Sequence, residues 1–109
     1  MSIKLKNDKY KKSRGRYSRL LDICCAKCST HLFFYQKDGP GILKRTYLDR
    51  IYESNQYSKL ENNSLKDIPQ LICSNCKSSL GIPYIYEKEN RLAYRLLVGS
   101  VTKKIVKLK

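Results

Sequence analysis

Cys25-Ala26-Lys27-Cys28 and Cys73-Ser74-Asn75-Cys76 are the two stretches on which the fold of this chain turns. Each is a Cys-x-x-Cys turn tight enough to aim both sulfurs inward, so one pair half-fills a metal's coordination shell and two pairs complete it. Zinc takes four soft ligands tetrahedrally, and the doubled spacing predicts one tetrathiolate site built from Cys25, Cys28, Cys73 and Cys76. A single such motif would also suit a redox dithiol or a haem attachment. No His directly follows either motif, however, and no βαβ pattern surrounds them. Two pairs of reduced or disulfide-bonded cysteines remain the plain alternative.

Cys24 gives Cys28 a second neighbour, but Cys25 matches the spacing of the other pair, which leaves Cys24 as a small packed thiol rather than a swapped ligand or redox group. His31, the only histidine, lies three residues beyond Cys28. With four cysteines at hand it reads as a strand residue or as a donor behind the ligands.

Composition explains why a metal is needed. The chain has 109 residues, 41% of them hydrophobic, and no Trp, so it forms one small domain with little core to bury. A metal clip compensates for that, and because its ligands converge only in the folded state, much of the binding free energy becomes folding free energy. Residues 1–6 lack the apolar run of a signal peptide, and no stretch is long enough to span a membrane. The expected setting is the cytoplasm, where thiols stay reduced.

Charge points to the partner. With 23 basic against 9 acidic residues the formal net charge is +14, which calls for a polyanion. No basic amphipathic helix or lipidation motif directs that charge to a membrane, which leaves nucleic acid in front. Residues 1–19 carry Lys9, Lys11, Lys12, Arg14, Arg16 and Arg19 among further lysines, offset only by Asp8. Such a basic arm is expected to be disordered until phosphate neutralises it, with Tyr10 and Tyr17 available to stack on unpaired bases.

Beyond the first motif, residues 31–37 read as an aromatic-rich strand ending at Asp38-Gly39-Pro40-Gly41, the strongest turn signal in the chain. Residues 42–52 fit either the returning strand of a hairpin or a helix face, and the extended form is expected for the first part, with Lys44 and Arg45 as flanking cations. Composition then turns polar, and about 53–67 reads as an insertion. Residues 82–87 and 92–98 alternate as a second hairpin turning at Lys88-Glu89-Asn90, with Pro83 near a strand start or on an edge. Tyr84 and Tyr86 fall on one face by parity, and Leu92, Tyr94, Leu96 and Val98 on another. Residues 99–109 form a basic strand or tail containing Lys103 and Lys104.

A Cys-x-x-Cys knuckle, a hairpin and a second knuckle sharing one metal resemble the zinc-ribbon proteins. The resemblance implies a small mainly-β, zinc-ribbon-like domain over residues 20–98, with two β-hairpins, a disordered basic N-terminal arm, and Cys25, Cys28, Cys73 and Cys76 as ligands of a structural Zn2+. Many ribbons place Gly after the second Cys of each knuckle, where this chain has Ser29 and Lys77. Small basic ribbons look like ribosomal or ribosome-associated proteins, which implies RNA, ribosomal RNA in particular, as the partner.

Four thiolates leave no open metal position, and the chain offers no P-loop and no nucleophile with an identifiable base. The expectation is therefore not an enzyme and no small-molecule substrate. Lys27 and Lys77 are placed to offset the thiolate charge or to contact phosphate. Lys9, Lys11, Lys12, Arg14, Arg16, Arg19, Lys44, Arg45, Lys103 and Lys104 are the candidate RNA contacts. An adaptor binding a protein complex in transcription or translation is the alternative, and a redox switch releasing zinc is a third reading.

Overall fold

The computed structural model describes residues 3–54 and 56–107, so residues 1–2 of the expected arm and 108–109 of the expected tail lie outside it. The fold is mainly β, as the sequence predicts. Strands β1 (Ser18–Cys25), β2 (His31–Asp38), β3 (Arg45–Tyr47), β4 (Ile51–Tyr52), β5 (Leu71–Ile72), β6 (Ser79–Tyr86), β7 (Arg91–Leu96) and β8 (Val101–Val106) follow in order. They form two four-stranded antiparallel sheets, ordered β4-β2-β1-β8 and β3-β7-β6-β5.

Both Cys-x-x-Cys motifs sit at hairpin turns. The first joins β1 to β2 and the second joins β5 to β6, so each sheet delivers two sulfurs to a common point. The β6–β7 hairpin forms where expected, with Tyr86 opposite Arg91. Pro83 lies beyond the reach of two-residue β5, which pairs only with Ser79 and Gly81, so its missing N–H breaks no bond on that side. Tyr94 is fully buried with Leu92 and Leu96 packed beside the core, whereas Val98 lies past β7 and is fully exposed.

The Asp38-Gly39-Pro40-Gly41 turn does not close a hairpin. The chain leaves β2, crosses to pair β3 with β7, then returns through a 3-10 turn at Leu48–Arg50 to pair β4 with β2. Extended structure in the first part of residues 42–52 is thus correct, but its partner is the other sheet. Burial decides this: Thr46, Tyr47, Leu48, Arg50 and Ile51 are all buried, a run too continuous for a half-exposed returning strand.

The core lies between the sheets. Leu21, Ile23, Phe33, Tyr35 and Ile51 from the first sheet meet Leu71, Leu80 and Tyr94 from the second, together with Leu48, Tyr57 and Ile68 from the connections. Tyr57 belongs to the expected insertion, yet its ring packs edge-on against Phe33 and Tyr94, with centroids 6.4 and 5.8 Å away. Its hydroxyl accepts from the Ile72 N–H at 3.2 Å and donates to the Ile72 carbonyl at 3.0 Å. That phenol satisfies the outer edge of β5 one residue before Cys73.

The arm differs most from expectation. Instead of a disordered tail, the described residues form α1 (Lys9–Ser13), whose Tyr10 ring lies under Arg91 of β7. Asp8 caps α1, accepting from the N–H groups of Tyr10 and Lys11 at 3.1 and 3.3 Å. Five residues, three of them lysine, would not hold a helix alone, so the docking contacts fix it. Upstream, Gln36 is held by the Lys6 backbone through N–H to Oε1 at 2.7 Å and Nε2 to carbonyl at 2.8 Å. The Lys6 ammonium donates to the Asp49 carbonyl.

Two charge networks secure the arm further. Arg50, 0% exposed, reaches Asp8 at 2.6 Å and Asp38 at 2.9 Å. Its guanidinium holds the Asp8 carboxyl down at about 2. Arg14 grips Glu89 with two bonds of 2.6 and 2.8 Å, and Glu89 and Asp49 in turn hold Arg91 at 3.2 and 2.6 Å. The Arg91 guanidinium lies between the rings of Tyr10 and Tyr47, at 3.8 and 3.7 Å. Gly39 permits the close approach: at φ 75°, a Cβ there would meet Arg14 Cβ at 2.8 Å and its carbonyl oxygen at 2.9 Å. Residues 101–106 of the expected strand or tail form β8, paired along β1 and so part of the domain.

Candidate metal centre and basic surface

The four cysteines chosen from the sequence converge. Their sulfurs all lie within 4.8 Å of one another, with Cys25 to Cys76 at 3.6 Å and Cys28 to Cys73 at 3.5 Å. These separations are far longer than a disulfide bond of about 2.05 Å. They are close to the edge of about 3.8 Å expected of a tetrahedron with Zn–S bonds of about 2.3 Å. Cys25 and Cys73 are fully buried, Cys28 and Cys76 half-buried, and all five cysteines are free thiols.

The two turns are built alike. Ser29 donates its N–H to the Cys25 carbonyl at 2.8 Å, and Lys77 to that of Cys73 at 3.0 Å. Cys25 N–H bonds the Thr30 carbonyl at 2.9 Å, and Cys73 N–H that of Ser78 at 3.0 Å. Ser29 and Lys77 both sit at positive φ, 66° and 62°. This is the position where many ribbons have Gly, and the turn imposes the same backbone without one, at a cost of about 1 kcal/mol per residue. The metal-binding free energy of such sites, about 10 kcal/mol or more, exceeds that strain easily.

Sequence reasoning missed Thr30 and Ser78. Their hydroxyls contact the sulfurs of Cys28 and Cys76 at 3.1 and 3.2 Å. The Thr30 hydroxyl and backbone, with Asn75 reaching across from the other knuckle, bring the Cys28 thiol down to about 5. Ser78 lowers Cys76 in the same way. For Cys25 the Cys28 N–H favours the thiolate, but burial and the neighbouring thiols prevail and push it up to about 11. Cys28 and Cys76 thus lean toward the thiolate while burial and its neighbours push Cys25 the other way. A divalent cation resolves the conflict, so the donor set fits one. The signal was present in the sequence as a hydroxyl residue two places after the second Cys of each motif.

His31 is not part of this cluster. Its ring lies on the outer face of the first sheet beside Asp22 and Cys24, against Phe34 at 4.7 Å. Lys27 is exposed, and the Lys77 ammonium bonds the Ser74 carbonyl at 2.8 Å.

The basic residues divide into two groups. Arg14, Arg50 and Arg91 are tied to carboxylates, and Arg45 lies over the Tyr86 ring at 4.3 Å while bonding the Tyr84 hydroxyl at 2.8 Å. Among the described residues no lysine forms a salt bridge. Lys9, Lys12, Arg16, Arg19, Lys44, Lys103 and Lys104 are exposed, and Lys11 is half-exposed. Tyr10, expected to stack on bases, is taken by Arg91, whereas Tyr17 stays 40% exposed with Arg19 over its ring at 5.0 Å.

Beside Tyr17 a shallow groove of about 470 Å³ runs between Gly39-Pro40-Gly41 and β8, lined by Arg19, Lys37, Lys103 and Ile105. Arg19 and Lys37 are register partners across β1 and β2. Partial burial, then the charges of Lys103, Arg14 and Arg19, push the Lys37 ammonium down. No helix of the described residues is long and apolar enough to cross a membrane. The chain matches no protein-family model, and no curated protein or solved structure shows detectable similarity to it.

Proposed function

We propose that this protein is an RNA-binding structural zinc protein, a ribosomal or ribosome-associated component of the cytoplasm. The observation that carries the reading is the groove of Arg19, Lys37 and Lys103 beside exposed Tyr17, where like charges crowd and, among the described residues, none of the three forms a salt bridge. A phosphate backbone relieves that crowding and releases counterions, while Tyr17 offers a face to an unpaired base. The tetrathiolate cluster supports this role from a distance. Cys25, Cys28, Cys73 and Cys76 would hold Zn2+ as a clip between the sheets, and with four thiolates the ion is structural rather than catalytic. Docking of the arm makes the basic surface largely preformed, which lowers the ordering cost on binding. Lys9, Lys12, Arg16, Lys44 and Lys104 then add phosphate contacts around it.

The test is sedimentation of the tagged endogenous protein through sucrose at moderate salt, after a high-salt wash, and after nuclease. Stoichiometric travel with one ribosomal subunit that survives the wash supports a ribosomal component, and release by nuclease supports RNA as the tether. Sedimentation at the top of every gradient overturns the reading. An adaptor for a protein complex is favoured by a different observation: Ile42, Leu97 and Val98, exposed at 79%, 40% and 106%, line one groove. That reading predicts partners that survive nuclease and are lost on Val98→Asp.

A further inference from the structure

We propose that Asp22, Cys24 and His31 form a second metal site, a three-ligand position for a divalent late transition ion such as Zn2+, on the outer face of the β1–β2 hairpin. The Asp22 carboxylate, Cys24 thiol and His31 imidazole each offer one ligand atom, and the three atoms lie within 4.8 Å of one another. Asp22 Oδ1 is 3.4 Å from Cys24 Sγ and 2.5 Å from His31 Nδ1.

A β-bulge assembles them. Along β1, Asp22 and Ile23 face Phe34 and Phe33, but Cys24 then faces His31, with Leu32 skipped. Strand alternation alone would send His31 to the same side as Phe33, into the core. The skipped residue turns Leu32 toward the core cluster and throws His31 out beside Cys24 and Asp22. Bulges commonly re-aim a side chain at a functional position in this manner. The side chains of Asp22 and His31 are 31% and 43% exposed, so an ion has a path from solvent.

The donor set selects the ligand class. One sulfur, one nitrogen and one oxygen suit zinc and its neighbours and do not suit magnesium or calcium, which prefer oxygen alone. With bonds of about 2.3 Å to sulfur and about 2.0 Å to oxygen, a tetrahedral edge of about 3.5 Å is required, close to the Sγ to Oδ1 separation. The Oδ1 to Nδ1 pair must open by roughly 0.8 Å as the metal replaces the hydrogen bond between them. On binding, the Cys24 thiol proton leaves to solvent and the imidazole proton moves to Nε2. Three protein ligands leave a fourth position for water or a ligand from a partner, unlike the closed tetrathiolate cluster. Lys104, the register partner of Asp22 on β8, is the nearby cation.

The experiment uses the full-length protein carrying one equivalent of zinc, titrated with Co2+ under reducing conditions and followed by equilibrium dialysis and visible absorption. The expected result is one further equivalent of bound metal with a charge-transfer band of single-thiolate intensity. Cys24→Ser and His31→Asn should each weaken that equivalent by more than about 10-fold, with the first equivalent and the far-ultraviolet spectrum unchanged. Failure of the wild type to bind beyond one equivalent overturns the proposal, as does a second equivalent unaffected by both substitutions. Should either variant fail to fold, the wild-type stoichiometry and Asp22→Asn decide the matter.

Discussion

Removing one oxygen atom, in Tyr57→Phe, tests how the polar connection between the sheets supports the candidate metal centre. The ring contacts with Phe33 and Tyr94 survive the change, so the packing term is nearly constant. The Ile72 N–H and carbonyl each lose their bond to the Tyr57 hydroxyl, of 3.2 and 3.0 Å. Tyr57 is only 6% exposed, so water does not readily replace the hydroxyl. Two such bonds contribute about 2 kcal/mol together. For a domain of this size that corresponds to roughly 8 °C in Tm, measured by circular dichroism on the zinc-loaded protein. Since β5 leads directly into Cys73, the loss should also appear as local opening, with zinc transfer to a chromophoric chelator accelerated by up to about 30-fold. A shift below about 2 °C together with unchanged zinc transfer would refute the argument that this hydroxyl caps the edge of β5.

Lys77→Gly relieves positive φ while giving up only an exposed ammonium contact, and should raise Tm by roughly 4 °C, corresponding to about 1 kcal/mol; a lower Tm would show that the turn does not strain its residue. Gly39→Ala brings a Cβ to 2.8 Å from Arg14, so the arm should undock. Trypsin should then cut at Lys11, Lys12 or Arg16 at least about 10-fold faster with the sheets intact, an expectation undone by unchanged cleavage. Replacing Arg19, Lys37 and Lys103 together by Gln should reduce the slope of log affinity against log salt for single-stranded RNA by about 2, read by fluorescence anisotropy. An unchanged slope places the phosphate contacts elsewhere.

The clustering of Cys25, Cys28, Cys73 and Cys76 was legible because a Cys-x-x-Cys spacing is local, and two copies of it can hardly serve separate ends in so small a chain. The β6–β7 hairpin was legible for the same reason, through its alternation and the turn at Lys88-Glu89-Asn90. Partners distant in sequence were not. Nothing near Arg14 announces Glu89, and nothing near Asp8 announces Arg50, so charge density alone made the arm look unfolded. The Asp38-Gly39-Pro40-Gly41 turn misled because a reversal of direction does not say which sheet receives the chain. From sequence His31 reads as a strand residue or ligand support, and its place beside Asp22 and Cys24 depends on a single skipped residue at Leu32 that no periodicity reveals.

The position of β8 has a consequence for synthesis. β1 pairs with β2, its neighbour in sequence, and with β8, separated from it by most of the chain. The first sheet therefore cannot be completed until Val106 has been translated, long after Cys25 and Cys28 have emerged. At about 5–20 residues per second, the interval between Cys76 and Val106 is a few seconds. Early in it the nascent arm has no Glu89 or Arg91 to dock on, and the sulfurs lack a completed first sheet behind them. Non-local pairing of β1 with β8 predicts folding that is slow for the chain's size. A metal captured in that window would guard the thiols before the sheets can close over them.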